Sequence, residues 1–183
     1  MRIIAGGYKG KSLKLPPSSK TRPASDKVKG AIFNILGDIS DANVLDLFAG
    51  SGSVGLEALS REARFCCFVE QDPDVSKILR ENVTICQASH QSLILECKVE
   101  HCFAILERKN TLPFHLVFLD PPYDKNLVNS SLKCLSSTSL LAKEALIVIE
   151  HSPREFPKED FFKIIDQRKY GQTYISFLKQ KNS

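Results

Sequence analysis

The strongest constraint on the fold is a short apolar segment that runs directly into a glycine-rich turn. Val44 to Phe48 is typical of a buried strand, and Gly50-Ser51-Gly52-Ser53-Val54-Gly55 follows almost at once. Glycine permits the tight turn that joins a strand to a helix, and it lets a ligand approach the backbone closely. The segment therefore predicts the first strand-turn-helix unit of an open α/β sheet.

From residue 43 onward, apolar strands alternate with helical segments. This alternation predicts an α/β fold with a mostly parallel sheet and helices on both faces. The last two strands have no helix between them, so Gly171-Gln172 predicts an antiparallel hairpin at one edge. The seven predicted strands are Val44 to Phe48, Phe65 to Glu70, Leu93 to Val99, Leu116 to Leu119, Ala145 to Ile149, Lys163 to Tyr170 and Tyr174 to Lys179.

Start signals and apolar spacing place three of the helices. Asp72 followed by Pro73 is a typical N-cap and first-turn pair, and Leu127 begins another apolar helical stretch. Ahead of the sheet, Ser25 or Asp26 can cap a first helix. Its predicted buried stripe consists of Val28, Ala31, Ile32, Ile35 and Leu36.

A second motif, Asp120-Pro121-Pro122-Tyr123, follows the strand that ends at Leu119. Ligands of open α/β sheets bind outside the carboxyl ends of the strands, so this motif and the glycine-rich turn should face one crevice. The carboxylate and the Pro121 carbonyl can each accept a hydrogen of an exocyclic amine, while the prolines fix the backbone. Tyr123 can stack on a nucleobase. We predict that these four residues are catalytic; a plain loop stop with a capping carboxylate is the alternative.

The spacing of the glycines predicts a nucleotide-like cofactor. Glu70 closes the next strand about 20 residues on, where a carboxylate can bind ribose hydroxyls. Taken alone, this pattern also fits NAD or a purely structural turn. Asp46, inside the preceding strand, would repel a pyrophosphate and suits a cationic ligand instead. S-adenosylmethionine carries a sulfonium, an ammonium and a ribose but no phosphate, so we predict it as the cofactor.

Positive charge is concentrated at the amino terminus. Residues 1–30 carry eight Lys or Arg against one Asp, whereas the other 153 residues carry 17 Lys or Arg against 20 Asp or Glu. A basic arm on a near-neutral body indicates a polyanionic partner, although solvated surface lysines are the simpler alternative. Arg2 to Ala5 and Ser12 to Leu15 flank three glycines, which predicts a short hairpin within this arm.

Length and composition predict one domain preceded by a basic extension, with residues 1–24 as the extension and 25–183 as the main domain. Six cysteines without a Cys-x-x-Cys pair predict reduced thiols and no metal site. The sequence shows neither a signal peptide nor an apolar run of the ~18 residues that a membrane span needs. We therefore expect a cytoplasmic protein. We also expect it to be a monomer.

These motifs together resemble the bacterial 16S ribosomal RNA guanine-N2 methyltransferases, nearly from end to end. The segment from Arg22-Pro23 to Phe33-Asn34, together with the basic arm, is the part most specific to this family. The other matching segments are Met1 to Gly6, Leu45 to Gly52, Gly55 to Arg61, Glu70, Asp120 to Tyr123, Glu144 to Glu150 and Tyr170-Gly171.

The resemblance implies a class I methyltransferase fold, which is Rossmann-like, and transfer of a methyl group from S-adenosylmethionine to N2 of one guanine in 16S rRNA. The substrate implied is the small ribosomal subunit or an assembly intermediate of it. The implied cofactor contacts are Asp46, Phe48, Ala49, Gly50, Ser51, Gly52 and Glu70, with the adenine side near Cys102 and Phe103. The RNA contacts expected in the basic arm are Arg2, Lys9, Lys11, Arg22 and Lys29.

The chain departs from the family pattern at two neighbouring positions, Lys29 and Gly30, where an arginine and a glutamate are usual. Three other functions remain open at this stage. A DNA adenine-N6 methyltransferase would use the same catalytic tetrapeptide, but it usually has a larger domain for reading its target. An NAD-dependent oxidoreductase would use the glycines and Glu70. A ribosome-assembly factor without catalysis would not need the tetrapeptide.

Overall fold

A computed structural model describes residues 1–17, 23–109, 111, 113–123 and 125–181. Within these ranges a seven-stranded sheet is flanked by helices on both faces. The strands are β1 (Asn43–Leu47), β2 (Phe65–Glu70), β3 (Ser92–Glu96), β4 (Phe114–Leu119), β5 (Leu141–His151), β6 (Phe162–Tyr170) and β7 (Thr173–Gln180). The helices are α1 (Pro23–Leu36), α2 (Ser53–Ser60), α3 (Pro73–Cys86), α4 (Val99–Arg108) and α5 (Leu127–Ser136), with a 3₁₀ turn at Ser89–Gln91.

The strand order is β3-β2-β1-β4-β5-β7-β6. The first five strands in this order pair in parallel, and β7 pairs antiparallel with both β5 and β6. The chain runs outward from β1 to β3 on one side, then continues from β4 on the other side. The switch point of the sheet therefore lies between β1 and β4, which is where open α/β sheets bind ligands. The predicted fold class and the edge hairpin are confirmed.

The two faces of the sheet support separate cores. Helices α1, α2 and α3 cover one face, where the buried side chains include Ile32, Leu56 and Leu79. Helices α4 and α5 cover the other face with side chains such as Leu106 and Leu132. Side chains alternate between faces along a strand, so these cores identify the face to which each strand-end residue belongs.

Residues 1–17, which we call the N-terminal segment, pack onto the first face. Ile3 and Leu13 are buried in the same core as α1, α2 and α3. The predicted hairpin is present in a short form, with one antiparallel bridge between Arg2 and Ser12. Across its two arms the Ile3 amide donates to the Lys11 carbonyl at 3.1 Å, and the Leu13 amide donates to the Met1 carbonyl at 3.0 Å. Glycines and turns occupy the residues between the two arms, and further hydrogen bonds attach the segment to α2 and α3.

The buried stripe of α1 differs from the predicted one. The helix begins at Pro23, ahead of the predicted caps. Ile35 is 42% exposed, whereas Phe33 and Lys29 are buried. Phe33 packs against Phe118 of β4 with 5.7 Å between ring centroids, so an aromatic contact with the sheet decides which face of the helix turns inward.

The boundary after the third strand was also predicted wrongly. β3 ends at Glu96, and Val99 begins α4, although the apolar pattern suggested a strand through Val99. Lys98 precedes the helix without making a side-chain capping bond, so the sequence carries no start signal there. By contrast, Asp72 caps α3 as predicted, accepting from the Asp74 amide at 2.9 Å.

The six cysteines are all free thiols. Within the described ranges, no cluster of three or more His, Cys, Asp or Glu is arranged to hold a metal ion. None of the helices in those ranges combines the length and apolar character needed to cross a membrane.

Candidate active site

The two sequence motifs lie at the same edge of the sheet, on neighbouring strands. Leu47 at the end of β1 is paired with Leu119 at the end of β4, and the strands are parallel. Phe48 directly follows β1, and Asp120 directly follows β4. Adjacent strands are about 4.8 Å apart, so the turn at residues 50–52 and the loop at residues 120–123 border one crevice. We call these two elements the glycine turn and, after the role predicted for it from the sequence, the catalytic loop.

The glycine turn depends on left-handed backbone conformations. Gly50 and Gly52 have φ of 56° and 79°, and Phe48 has φ of 65° without being glycine. Such conformations are costly for side chains other than glycine and are concentrated at functional sites. A Cβ on Gly52 would lie 2.3 Å from Leu79 Cδ1, whereas a Cβ on Gly50 would meet no atom of the described residues within 4 Å. The turn thus packs against α3 on one side and leaves open space at Gly50.

Hydrogen bonds from two neighbouring elements hold this turn. Glu70, at the end of β2, accepts from the Gly50 amide at 2.9 Å through one carboxylate oxygen. Its other oxygen accepts from the Asp72 amide at 2.9 Å. Asn82 of α3 donates to the Ser51 carbonyl at 2.9 Å. Side chains of β2 and α3 therefore hold both ends of the contact between the turn and the sheet.

Asp46 lies within β1 beneath the turn, and its side chain is 3% exposed. Its Oδ2 atom accepts a hydrogen bond of 2.9 Å from the Gly55 amide. Burial raises the pKa of Asp46 to about 7, against the lowering effect of the Gly55 amide, and the nearby charge of Glu70 adds to the rise. A Cβ on Gly55 would lie 2.3 Å from Phe68 Cε1, so this glycine lets α2 approach the sheet and reach Asp46.

Strand alternation places four carboxylates on one face of this edge. In each of four strands, a carboxylate comes two residues after a side chain that is buried in the core beneath α1, α2 and α3, and so belongs to the same face. These carboxylates are Asp46, Glu70, Glu150 and, just beyond β4, Asp120. These residues lie on or directly after four consecutive strands of the sheet. Such an edge favours ligands that carry positive charge or hydrogen-bond donors.

Tyr123 of the catalytic loop is anchored by its hydroxyl. The hydroxyl donates to Glu150 Oε1 at 3.0 Å, and Thr173 Oγ1 lies 2.9 Å away from it. Burial raises the pKa of Tyr123 to about 12, and the charges of Glu150 and Asp120 contribute to this rise. The hydroxyl is therefore a neutral donor that fixes the ring. Pro121 is buried, whereas Asp120 and Pro122 are exposed.

Two of these partners, Glu150 and Thr173, were given no role by sequence reasoning. Glu150 lies within a matching segment, at the end of an apolar strand, as Glu70 does on β2. That shared position is the signal that would have identified it. Thr173 begins β7 and reaches the site only because the hairpin returns beside β5. No local pattern in the sequence reveals such a contact.

The predicted adenine-side contact must be moved. Cys102 and Phe103 lie inside α4, buried in the core of the second face, because the helix begins earlier than expected. The residues that follow β3 at the edge of the sheet are Cys97 and Lys98. The Cys97 amide donates to the Glu70 carbonyl at 3.1 Å, which keeps this connection next to the end of β2.

The residues predicted to contact RNA differ in how exposed their side chains are. Arg2 and Lys9 are exposed on the N-terminal segment. Lys11 is half-buried, and its ammonium donates to the Ile85 carbonyl at 2.7 Å. Arg22 lies outside the described residues. The prediction for Lys29 is wrong, because its side chain is only 4% exposed.

Lys29 belongs to a buried ionic cluster centred on Glu57 of α2. Its ammonium lies 3.6 Å from Glu57 Oε2 and donates to the Arg2 carbonyl at 2.9 Å. Glu57 is fully buried and also accepts from the Ile4 and Ala5 amides at 2.8 and 3.1 Å. This cluster attaches the N-terminal segment to the helix that follows the glycine turn.

The chain is similar to known proteins along most of its length. The family model described as conserved hypothetical protein 95 matches residues 1–179. The ribosomal RNA small subunit methyltransferase D of Escherichia coli is 38% identical over 151 residues, covering 82% of this chain and 74% of that protein. A solved structure described as "Putative methyltransferase yhhF from Escherichia coli" has a TM-score of 0.85 at 31% identity, covering 100% of this chain and 99% of its own.

A more distant structure, SMU.776 "complexed with SAH", shares the fold with a TM-score of 0.63 at 13% identity, covering 87% of this chain and 50% of its own. The resemblance predicted from the sequence is confirmed. The chain therefore belongs to the conserved hypothetical protein 95 family and to the family of the ribosomal RNA small subunit methyltransferases D.

Proposed function

We propose that this protein transfers a methyl group from S-adenosylmethionine to the exocyclic N2 of a guanine in the 16S rRNA of the small ribosomal subunit. The observation that carries the proposal is the pairing of Leu47 with Leu119, which sets the glycine turn and the catalytic loop side by side. A methyl donor in the turn and an amine in the loop then share one crevice.

The glycine turn fits the cofactor. Open space at Gly50 provides room for a ligand beside the backbone. Glu70 would bind the ribose diol, because a carboxylate offers about four acceptor sites and the two amides use only some of them. Asp46 would face the ammonium of the amino-acid moiety, and Cys97 and Lys98 are the proposed neighbours of the adenine. When bound, S-adenosylmethionine supplies the activated methyl group.

The catalytic loop would prepare the amine for transfer. The lone pair of a nucleobase amine is delocalised into the ring, so the nitrogen is a weak nucleophile until its hydrogens are held. Asp120 and the Pro121 carbonyl would each accept one of those hydrogens and direct the lone pair toward the donor. Tyr123, fixed through its hydroxyl, would stack on the base. The nitrogen would become acidic on methylation, and Asp120 would accept the proton that it releases.

The pair of carboxylates supports guanine over adenine. Leu119 and Ile149 are paired, so Asp120 and Glu150 follow on adjacent parallel strands. Carboxylates accept hydrogen bonds and do not donate them. Guanine presents a second donor, N1–H, next to its N2 amine, whereas adenine presents an acceptor at N1 next to its amine. The acceptor edge of this site therefore matches guanine.

The RNA substrate is supported by family membership and by the exposed basic side chains. The relatives named small subunit methyltransferase D act, by that name, on ribosomal RNA. Arg2 and Lys9 are exposed on the N-terminal segment, which packs against α2. Helix α2 directly follows the glycine turn in the sequence. Such charges would contact the phosphate backbone and position the RNA without selecting its sequence.

The test is a methylation assay on small subunits from cells that lack the protein, with isotope-labelled S-adenosylmethionine and mass spectrometry of the nucleosides. We expect labelled N2-methylguanosine. Labelled N6-methyladenine in DNA substrates, without product in rRNA, would assign the chain to the adenine methyltransferases instead. Calorimetric titration with S-adenosylhomocysteine and with NADH separates the methyltransferase from an oxidoreductase.

A further inference from the structure

Asn82 of α3 joins the N-terminal segment to the glycine turn. Its side chain is fully buried, and every hydrogen-bonding atom of its amide is used. The Oδ1 atom accepts from the Lys14 amide at 2.8 Å, and Nδ2 donates to the Lys14 carbonyl at 2.9 Å. The second Nδ2 hydrogen goes to the Ser51 carbonyl at 2.9 Å.

These bonds connect two functional regions through one side chain. Lys14 is held by both of its backbone groups, so its position sets the orientation of the Asn82 amide. That amide in turn holds the middle residue of the glycine turn, between Gly50 and Gly52. Buried amides that satisfy all partners have one preferred orientation, because any rotation leaves a polar group unpaired.

We propose that Asn82 is a positioning residue that couples RNA binding to cofactor binding. RNA held by the exposed basic residues would restrict the N-terminal segment, keep Lys14 against Asn82 and so hold Ser51 in the geometry that the cofactor requires. By linkage, bound cofactor would raise the affinity for RNA by the same factor. This inference rests on the proposed function, since it takes the N-terminal segment as an RNA contact.

The experiment measures the dissociation constant of radiolabelled S-adenosylhomocysteine by equilibrium dialysis, with and without saturating unmethylated small subunits. For the unaltered protein we expect binding to tighten about fivefold or more on the subunit. In Asn82→Ala the ratio of the two constants should fall to near one. Ser76→Ala is the matched control, because Ser76 is equally buried in α3 and its hydroxyl makes no hydrogen bond with the described residues.

A second pair of variants tests the link from the other end and does not depend on the folding of the Asn82 variant. Lys14→Pro removes the backbone donor to Asn82 Oδ1, whereas Lys14→Ala removes only the side chain and its exposed ion pair with Glu81. Loss of coupling in the proline variant alone supports the proposal. A ratio near one in the unaltered protein, or full coupling in Asn82→Ala, overturns it. If subunits do not bind at all, the proposed function fails as well, and the two failures are thereby distinguished.

Discussion

The Tyr123 hydroxyl donates a hydrogen bond of 3.0 Å to Glu150, joining the catalytic loop to the end of β5. The loop itself follows β4, so this contact spans two adjacent strands. Thr173 of β7 approaches the same hydroxyl to 2.9 Å. The aromatic ring that should receive the base is thus oriented by three strands.

Removal of this anchor should slow catalysis and leave cofactor binding intact. Tyr123→Phe keeps the ring but loses both hydroxyl contacts, and a net loss of about 1 kcal/mol in positioning corresponds to a rate reduction of several-fold to tenfold. Glu150→Gln keeps one carbonyl acceptor for the hydroxyl and should lose less. Tyr174→Phe, on the next residue after Thr173, is the control for removal of a tyrosine hydroxyl. The measurement is the single-turnover rate of methyl transfer in each variant. An unchanged rate in Tyr123→Phe would refute the anchoring role.

The Asp120 carboxylate should matter for turnover and not for cofactor affinity. We expect Asp120→Ala to lower the methyl-transfer rate about 10²- to 10⁴-fold, because the amine loses the group that accepts its hydrogen. Asp120→Asn keeps one carbonyl acceptor and should lose less. Calorimetry with S-adenosylhomocysteine should give the same affinity for all three proteins. Normal turnover in the alanine variant would remove the role assigned to this carboxylate.

Cofactor affinity should depend on pH through Asp46. The pKa of its buried carboxyl is about 7, so below pH 7 the group is mostly protonated and a cationic ligand must displace that proton. Binding of S-adenosylhomocysteine should therefore strengthen as pH rises from 6 to 8, with proton release near pH 6.5 seen as a difference between buffers in calorimetry. Asp46→Asn should abolish the dependence on pH. Affinity that stays constant in the unaltered protein over this range would contradict the account.

Lys29 and Lys9 should behave differently despite their shared charge. Lys29→Met removes one of two cations beside the buried Glu57 and the donor to the Arg2 carbonyl. Arg61 still lies 2.8 Å from Glu57, so the charge stays compensated. We expect a loss of about 1–3 kcal/mol of folding free energy, the cost of leaving buried polar groups without a partner. Lys9→Glu should leave the melting temperature unchanged, weaken RNA binding and reduce its salt dependence. Thermal melts and filter-binding titrations at several salt concentrations test both. A stable Lys29→Met protein that is defective only in RNA binding would restore the original RNA assignment.

Patterns that depend on local chemistry were readable from the sequence. The apolar run at β1, the glycine turn and the Asp72 cap each specify their conformation within a few residues, and the structure has all three. The proximity of the two motifs followed as well, since parallel strands of one sheet present their carboxyl ends at one edge. The family resemblance rests on these same segments.

Features that depend on tertiary contacts were not readable. The basic arm predicts a solvent-exposed RNA contact at Lys29, yet Lys29 is buried against Glu57 and the Arg2 carbonyl. Val99 continued an apolar strand pattern, but the sheet contacts of β3 end at Glu96. Asn82 contacts Ser51, which lies 31 positions away in the sequence, and Lys14, which lies 68 positions away. No periodic pattern in the sequence predicts these contacts.

The central claim is that one crevice between β1 and β4 brings a methyl donor to the amine of a guanine. The most direct test is nucleoside mapping of 16S rRNA from cells without the protein, complemented with the unaltered chain or with Asp120→Ala. The account predicts one N2-methylguanosine that is absent in the deletion strain, restored by the unaltered chain and not restored by the variant. The same modification in all three strains, or restoration by Asp120→Ala, would contradict it.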